Sequence, residues 1–304
     1  NKQTLKTWQS NIAHVPQSIF LTNESIEKNI VFLDEEVDID NELLRKVIND
    51  SQLGEFLFKL SSQSRATIGD MGEKLSGVTV KDLQNSPFQK NLDYRGFTAS
   101  PLLGESQGLA VYLNGTRINE GFGDTLQWEL IPENAIKNID LMSSNPVFGL
   151  NALGGSLALT TKKGLDYIST ESMNNNFETG SFNAFSGNFE LGVGSANQGL
   201  YVSAEKAYDG GWRDHSPGDL KKIFINYGIL EDSFDVDFTF MNANTKLNGN
   251  GVSPTELLNV DRESVFTWPD YTANNVFLIS SNANFYLQDD SIINSSIYYR
   301  RLIR

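Results

Sequence analysis

The sequence predicts a two-part fold: a small α+β domain followed by a run of antiparallel β-strands. Three observations predict it. The chain changes texture near residue 165, from mixed helix and short-strand patterning to regular alternation. Beyond that point apolar and polar residues repeat with period two, the mark of strands with one covered and one wet face. No stretch approaches the ~18 consecutive apolar residues of a membrane-spanning helix, so a membrane route would need a closed β-structure.

In the first half, residues 40–60 read as helix. Leu43, Leu44, Val47 and Ile48 share a face, and Leu53, Phe56, Leu57 and Leu60 continue it. Asp40 stands where an N-cap is wanted. A second short helix is expected from Gly69 to Leu75, ending into Gly77-Val78-Thr79-Val80. Short strands follow at Leu109–Leu113 and Ser156–Thr160. Asn114-Gly115, between Val111-Tyr112-Leu113 and Arg117-Ile118, reads as a tight hairpin turn.

In the second half, Phe189, Leu191 and Val193 alternate with Asn188, Glu190 and Gly192. Leu200, Val202 and Ala204 alternate with Tyr201, Ser203 and Glu205. Phe234, Val236, Phe238 and Phe240 alternate with Asp235, Asp237, Thr239 and Met241. Phe277, Ile279, Ala283, Phe285 and Leu287 share a face opposite Ser280, Asn282 and Asn284, and Tyr298-Tyr299 closes the last strand. Strands of ~9–12 residues are expected, with short and long connectors in turn. Such strands have two homes. In a soluble sandwich the apolar face meets another sheet; in a membrane barrel it meets lipid and the polar face lines the lumen.

Composition narrows the function. With 38 Asp+Glu against 24 Lys+Arg the net charge is −14, so a nucleic-acid partner is not expected, since phosphate binding needs a basic face. Lys162-Lys163 and Arg300-Arg301 are too short to reverse that balance. The sequence holds no cysteine, which removes disulfides, thiolate chemistry and cysteine metal sites. His14 and His215 lack metal-ligand neighbours at helical spacing and read as surface residues. Neither a Ser/His/Asp order nor a phosphate loop stands out. No cofactor, metal or enzymatic activity is expected.

The segment from Leu75 to Gly164 resembles the plug domain of TonB-dependent outer-membrane receptors. The resemblance rests on Leu75-Ser76-Gly77-Val78-Thr79-Val80, the Arg95-Gly96-Phe97 element, and the strand–turn–strand from Leu109 to Asn119. It continues through Leu130-Ile131-Pro132 with Ala135-Ile136 and Ile139-Asp140-Leu141, then Phe148-Gly149-Leu150-Asn151-Ala152-Leu153-Gly154-Gly155 leading to Thr161-Lys162. Upstream, Val15-Pro16-Gln17-Ser18-Ile19 and Glu24-Ser25-Ile26 are similar to the usual plug entry. Gly211-Trp212-Arg213-Asp214-His215-Ser216 and Thr267-Trp268-Pro269-Asp270 look like receptor loops. The sequence departs from the family in carrying Ser144-Asn145-Pro146 where Arg-Gly-Pro is common, in a longer helical entry from Asp34 to Ser64, and in lacking a recognisable Ton box in its first fifteen residues.

What the resemblance implies is a plug over residues 1–164 (core 67–164, helical entry 34–66) and the first part of a transmembrane β-barrel over 165–304. That part would be about seven strands of an incomplete barrel of about 22, and the chain is expected to be a piece of a longer receptor. The implied function is energy-coupled uptake of a scarce nutrient, a ferric siderophore or similar chelate, or a vitamin. A soluble periplasmic or secreted binding module is the alternative. Implied partners are a TonB-type inner-membrane energy transducer, the small-molecule substrate and outer-membrane lipid. Arg95 offers its planar fork to carboxylate or hydroxamate oxygens, with a structural ion pair as the alternative. By resemblance Thr98–Gly108 is an apical loop, and the expected substrate contacts are Arg95, Phe97, Ser100, Gln107, Asn119, Glu120, Phe122 and Trp128. For Phe122 and Trp128 core packing is the competing expectation.

Overall fold

A computed structural model describes residues 77–84, 86–143, 149–287 and 291–304, together with the single helical residue Lys46. The helices expected over 40–60 and 69–75, and the Ser144-Asn145-Pro146 departure, otherwise lie outside the described residues. Residues Arg65–Arg304 form one compact unit, and within it three sheets are built.

A three-stranded meander runs β1 (Val78–Leu83), β2 (Ser86–Tyr94), β3 (Phe97–Ala99). A four-stranded mixed sheet has the order β5-β4-β7-β6, from β4 (Leu109–Leu113), β5 (Thr116–Arg117), β6 (Ile136–Ser143) and β7 (Gly155–Thr161). Here β4 and β7 run parallel. The hairpin at Asn114-Gly115 forms: Leu113 pairs with Thr116, and both turn residues take positive φ, 47° and 82°. That is the primed geometry whose twist matches antiparallel strands. The Asn114 side chain also bonds the end of β7, donating to Thr161 Oγ1 at 2.8 Å and accepting from Thr161 N at 2.9 Å. Leu92, Leu109, Val111, Leu113, Leu157 and Leu159 belong to one buried apolar cluster that also takes in Trp128, Met241 and Val276.

The third sheet contains seven antiparallel strands in simple sequence order: β8 (Glu171–Thr179), β9 (Phe185–Gly194), β10 (Gln198–Asp209), β11 (Gly218–Glu231), β12 (Phe234–Asn248), β13 (Tyr271–Tyr286) and β14 (Ile292–Ile303). β11, β12 and β13 reach 14, 15 and 16 residues, longer than the alternation alone suggests. The reason is that their upper ends continue past the apolar stretch into polar sequence. On β12 the outward positions are Phe234, Val236, Phe238 and Phe240, then Asn242, Asn244 and Lys246. β14 likewise runs past Tyr298-Tyr299 to Ile303. One end of the sheet carries short turns, such as 195–197 and Asp232-Ser233. The other carries long loops, 210–217 and 249–270, the second with a short helix at Thr255–Val260.

The sidedness of this sheet separates its two possible homes. The meander and the mixed sheet pack on its charge-bearing face, where Glu190, Lys222, Asn226, Asp237, Thr239 and Asn274 are buried beside Tyr201, Phe224, Met241, Val276 and Leu278. The apolar face turns outward, leaving Ile223, Phe238, Ile279, Phe285, Ile297 and Tyr299 exposed. A soluble sandwich buries its apolar face; this sheet presents it.

Candidate functional site

The candidate site is the contact between the two small sheets and the polar face, together with the loops at its open end. Its lower anchor is the segment that leaves β7. Lys162 makes a close ion pair with the buried Glu190 of β9 and donates to Asn134 O at 2.8 Å. Tyr201 of β10 donates to the same carboxylate at 2.9 Å. Lys163 makes a close ion pair with the buried Asp237 of β12. The Gly164 amide donates to Asn226 Oδ1 at 2.7 Å, and Asn226 donates to Thr239 Oγ1 at 3.0 Å. Gly164 lies so close to Gly199 of β10 that a Cβ on either would overlap the other's carbonyl oxygen. Glycine is needed at both positions for the chain to cross the sheet.

Higher up, Glu129 is buried against β13. It accepts from Asn274 Nδ2 at 3.0 Å, and its second oxygen has no hydrogen-bond partner among the described residues. Burial pushes its carboxyl up to about 7, against the weaker pull of hydrogen bonds and of Lys222 and Arg304. Glu120 forms an ion pair with Arg300 of β14 at 2.5 Å, both partners largely buried. Gln84, in the β1–β2 turn, donates to Asp270 at 2.9 Å and accepts from the Asn250 amide at 3.2 Å. This ties the turn to the long 249–270 loop. That loop is joined to 210–217 in turn: the His215 ring stacks on Trp268 with centroids 3.8 Å apart, and Arg213 donates to Ser253 Oγ at 2.8 Å.

The eight expected substrate contacts divide into frame and surface. Trp128 is fully buried and donates Nε1–H to Ala99 O at 2.8 Å. Ser100 is buried, and Gln107 bonds its amide and carbonyl, both at 3.1 Å, and Leu102 O at 3.0 Å. These residues shape the 98–108 loop. Asn119 holds two chain segments, accepting from Val111 N at 2.7 Å and donating to Leu109 O at 3.0 Å. The Phe97 ring lies over Gly108 and Gly154, where a Cβ would overlap it. Glu120 is engaged by Arg300. Phe122, by contrast, is 80% exposed, so its side chain takes no part in the core packing that competed with a surface role. Arg95 is exposed, with its guanidinium 4.9 Å from the centre of the Tyr94 ring. Arg95 and Gly96 make a two-residue turn at φ 55° and 83° between Tyr94 and Phe97. A left-handed backbone is uncommon for a non-glycine residue, and strain of this kind gathers at functional sites.

Sequence reasoning missed the lower anchor and the loop brace. Glu190 and Asp237 stood in the polar half of the alternation, and Lys162-Lys163 just ahead of it, but nothing local said that they meet across 28 and 74 residues. The brace is Arg117 with Asp124 at 2.6 Å, and Asn151 bonded to the same carboxylate.

Residues 59–156 match the sequence family described as TonB-dependent Receptor Plug Domain. Among solved structures, the chain is similar to the ferric yersiniabactin uptake receptor FyuA from Yersinia pestis, at 13% identity and a TM-score of 0.59, over 79% of this chain and 39% of that one. It is similar to the unliganded ferric citrate transporter FecA at 16% identity and a TM-score of 0.60, over 79% and 40%. The siderophore receptor PiuA from Acinetobacter baumannii matches at 13% identity and a TM-score of 0.57, over 77% and 34%. The chain thus spans about two-fifths or less of the length of these structures, which share its fold.

Proposed function

From the premise that residues 59–156 are a TonB-dependent receptor plug domain, we propose that this chain forms the plug and first wall strands of an outer-membrane receptor for energy-coupled nutrient uptake. The observation that carries this reading is the sidedness of the seven-stranded sheet, with the plug on its polar face and the apolar face outward. That is the order of layers in a barrel standing in lipid around a polar lumen. In this reading residues 1–164 are the plug (core 67–164, entry 34–66) and 165–304 the wall, of about 22 strands when closed. The protein resides in a Gram-negative outer membrane and engages a TonB-type transducer at the inner membrane.

The substrate in this proposal is a metal chelate. Similar folds named for ferric yersiniabactin, ferric citrate and siderophores support that class. Its contact surface is carried by Arg95 and Phe122, on loops held in shape by Phe97, Ser100, Gln107, Asn119, Glu120 and Trp128. Arg95 supplies a planar donor fork for chelate oxygens, and Phe122 an aromatic face.

The test is fractionation followed by uptake. The full-length protein should sediment with outer membranes and need detergent for extraction. Cells lacking it should lose uptake of one ferric chelate under iron limitation, and Arg95→Ala should weaken binding of that chelate. Recovery in the aqueous phase without detergent would show that the chain belongs to a soluble module instead.

A further inference from the structure

Three lysines stand together on the outward face of the sheet, just above its apolar belt. Lys206 of β10 and Lys221 of β11 are directly opposite each other. Lys246 of β12 is diagonal to Lys221, because Lys221 pairs with Asn244 and Lys246 with Asp219. Opposed side chains lie ~5 Å apart and diagonal ones ~7–8 Å, and like charges in such places destabilise a sheet. Asp219 answers Lys206 through a close ion pair. Lys221 and Lys246 are exposed, and neither has a carboxylate partner among the described residues. The cluster therefore keeps two uncompensated positive charges in a chain whose net charge is −14.

The same face becomes apolar directly below. Ile223 and Ile225 continue the Lys221 column. Between β11 and β14 opens a groove of about 470 Å³, lined by Ile225, Phe238, Phe240, Ile279, Ile297 and Tyr299 among others. Ile225 lies four residues below Lys221, ~13 Å along the strand. A concentrated positive charge thus stands above the β11 and β12 end of an apolar trough on the same face. The lysines are at the long-loop ends of their strands, close to Asp209, Gly218 and Asn248.

We propose that this face binds a phosphate-bearing membrane lipid, with the headgroup phosphate on Lys206, Lys221 and Lys246 and an acyl chain along the groove. The proposal rests on the membrane reading above and names a lipid partner for it. Ammonium groups engage phosphate as compact point charges. A free phosphate would leave the groove unused, and a neutral lipid would leave the excess charge unanswered. Only an amphiphile with an anionic head meets both.

The test uses the full-length protein in dodecylmaltoside micelles, titrated with dioleoyl phosphatidate, dioleoyl phosphatidylcholine and inorganic phosphate. Binding is read by native mass spectrometry and by the rise in unfolding temperature. Phosphatidate should bind, phosphatidylcholine much more weakly, and millimolar inorganic phosphate should fail to displace bound phosphatidate. The double variant K221Q/K246Q should bind phosphatidate roughly thirtyfold more weakly, about fivefold per lysine. K221R/K246R should retain binding, and Lys81→Gln, an exposed lysine on β1, should leave it unchanged. Equal affinity in parent and K221Q/K246Q, equal binding of phosphatidylcholine, or displacement by inorganic phosphate overturns the lipid site. If the protein enters micelles and fails these arms, only the lipid site falls. If it is monodisperse without detergent, the membrane reading falls, and the lipid site with it.

Discussion

Glu129 and Lys163 show what single residues contribute where plug meets wall. The Glu129 carboxyl, at about 7 against an ordinary 4.5, is raised by burial, so the folded state favours the protonated acid. Stability is then full below pH 4.5 and is lost as pH rises through 7, by on the order of 3 kcal/mol. The groups facing it are Asn274, whose amide also donates to Gln127, and, at longer range, Lys222 and Arg304. Glu129→Gln should flatten thermal stability between pH 5 and 8, while the parent loses roughly 5–10 °C over that range. A parent curve as flat as the variant's would mean that the acid is not buried as described. Lys163 works differently: its partner Asp237 is almost wholly buried, so removing the lysine leaves a carboxylate unpaired. Lys163→Ala should cost about 2 kcal/mol, below the roughly 3–5 kcal/mol of fully buried pairs because Lys163 keeps water contact. Adding Asp237→Asn should restore much of that loss. Strictly additive effects in the double-mutant cycle would show that the pair is not coupled.

At the scale of the element, the alternation decides which face does what, and it was legible in the sequence to the residue. Phe189, Leu191 and Val193 share one face, as do Phe234, Val236, Phe238 and Phe240, as their period-two pattern requires. So was the Asn114-Gly115 hairpin, because a primed turn leaves a local signature. The direction of that face was not legible, since an apolar face meets oil or another sheet with equal comfort. Strand length was also misread, because the strands stay hydrogen-bonded where their outward residues turn polar. A single substitution separates the environments. Phe238 is outward and about half exposed. In a bilayer Phe238→Arg should cost about 2–4 kcal/mol near the middle of the belt, whereas on a soluble surface it would be neutral or improve solubility. Unfolding of parent and variant in vesicles reads the difference. The crossing at Gly164 and Gly199 makes a second element-level claim. Gly199→Ala forces a Cβ into the Gly164 carbonyl and should destabilise the plug–wall contact by about 1–3 kcal/mol, measured as earlier proteolysis of the plug.

For the whole molecule, plug and wall differ in what holds them. The outward face of the seven-stranded sheet is apolar and exposed, with the plug on the opposite side. The plug is held by an apolar cluster that joins Trp128, Leu130 and Ile131 to Met241 and Val276, and by directed polar contacts at distinct heights, Lys162–Glu190 and Lys163–Asp237 near the exit, Asn274–Glu129 and Arg300–Glu120 above. None of these polar pairs could be read from sequence, because each joins residues brought together only by the packing of the small sheets on the seven-stranded one, across as many as 180 positions. The two layers should therefore separate experimentally. Deleting residues 77–163 from the full-length protein removes every plug-side partner of these pairs and leaves the apolar belt intact. The remaining wall should still enter membranes, and its polar lumen, too wide for its own side chains to fill, should conduct ions in a planar bilayer where the intact protein is closed. Single-channel recording of both forms is the measurement. A deletion protein that inserts yet stays closed would mean that something other than the plug seals the lumen. One that no longer inserts would mean that the polar contacts are a condition of the wall's folding as well as of its closure.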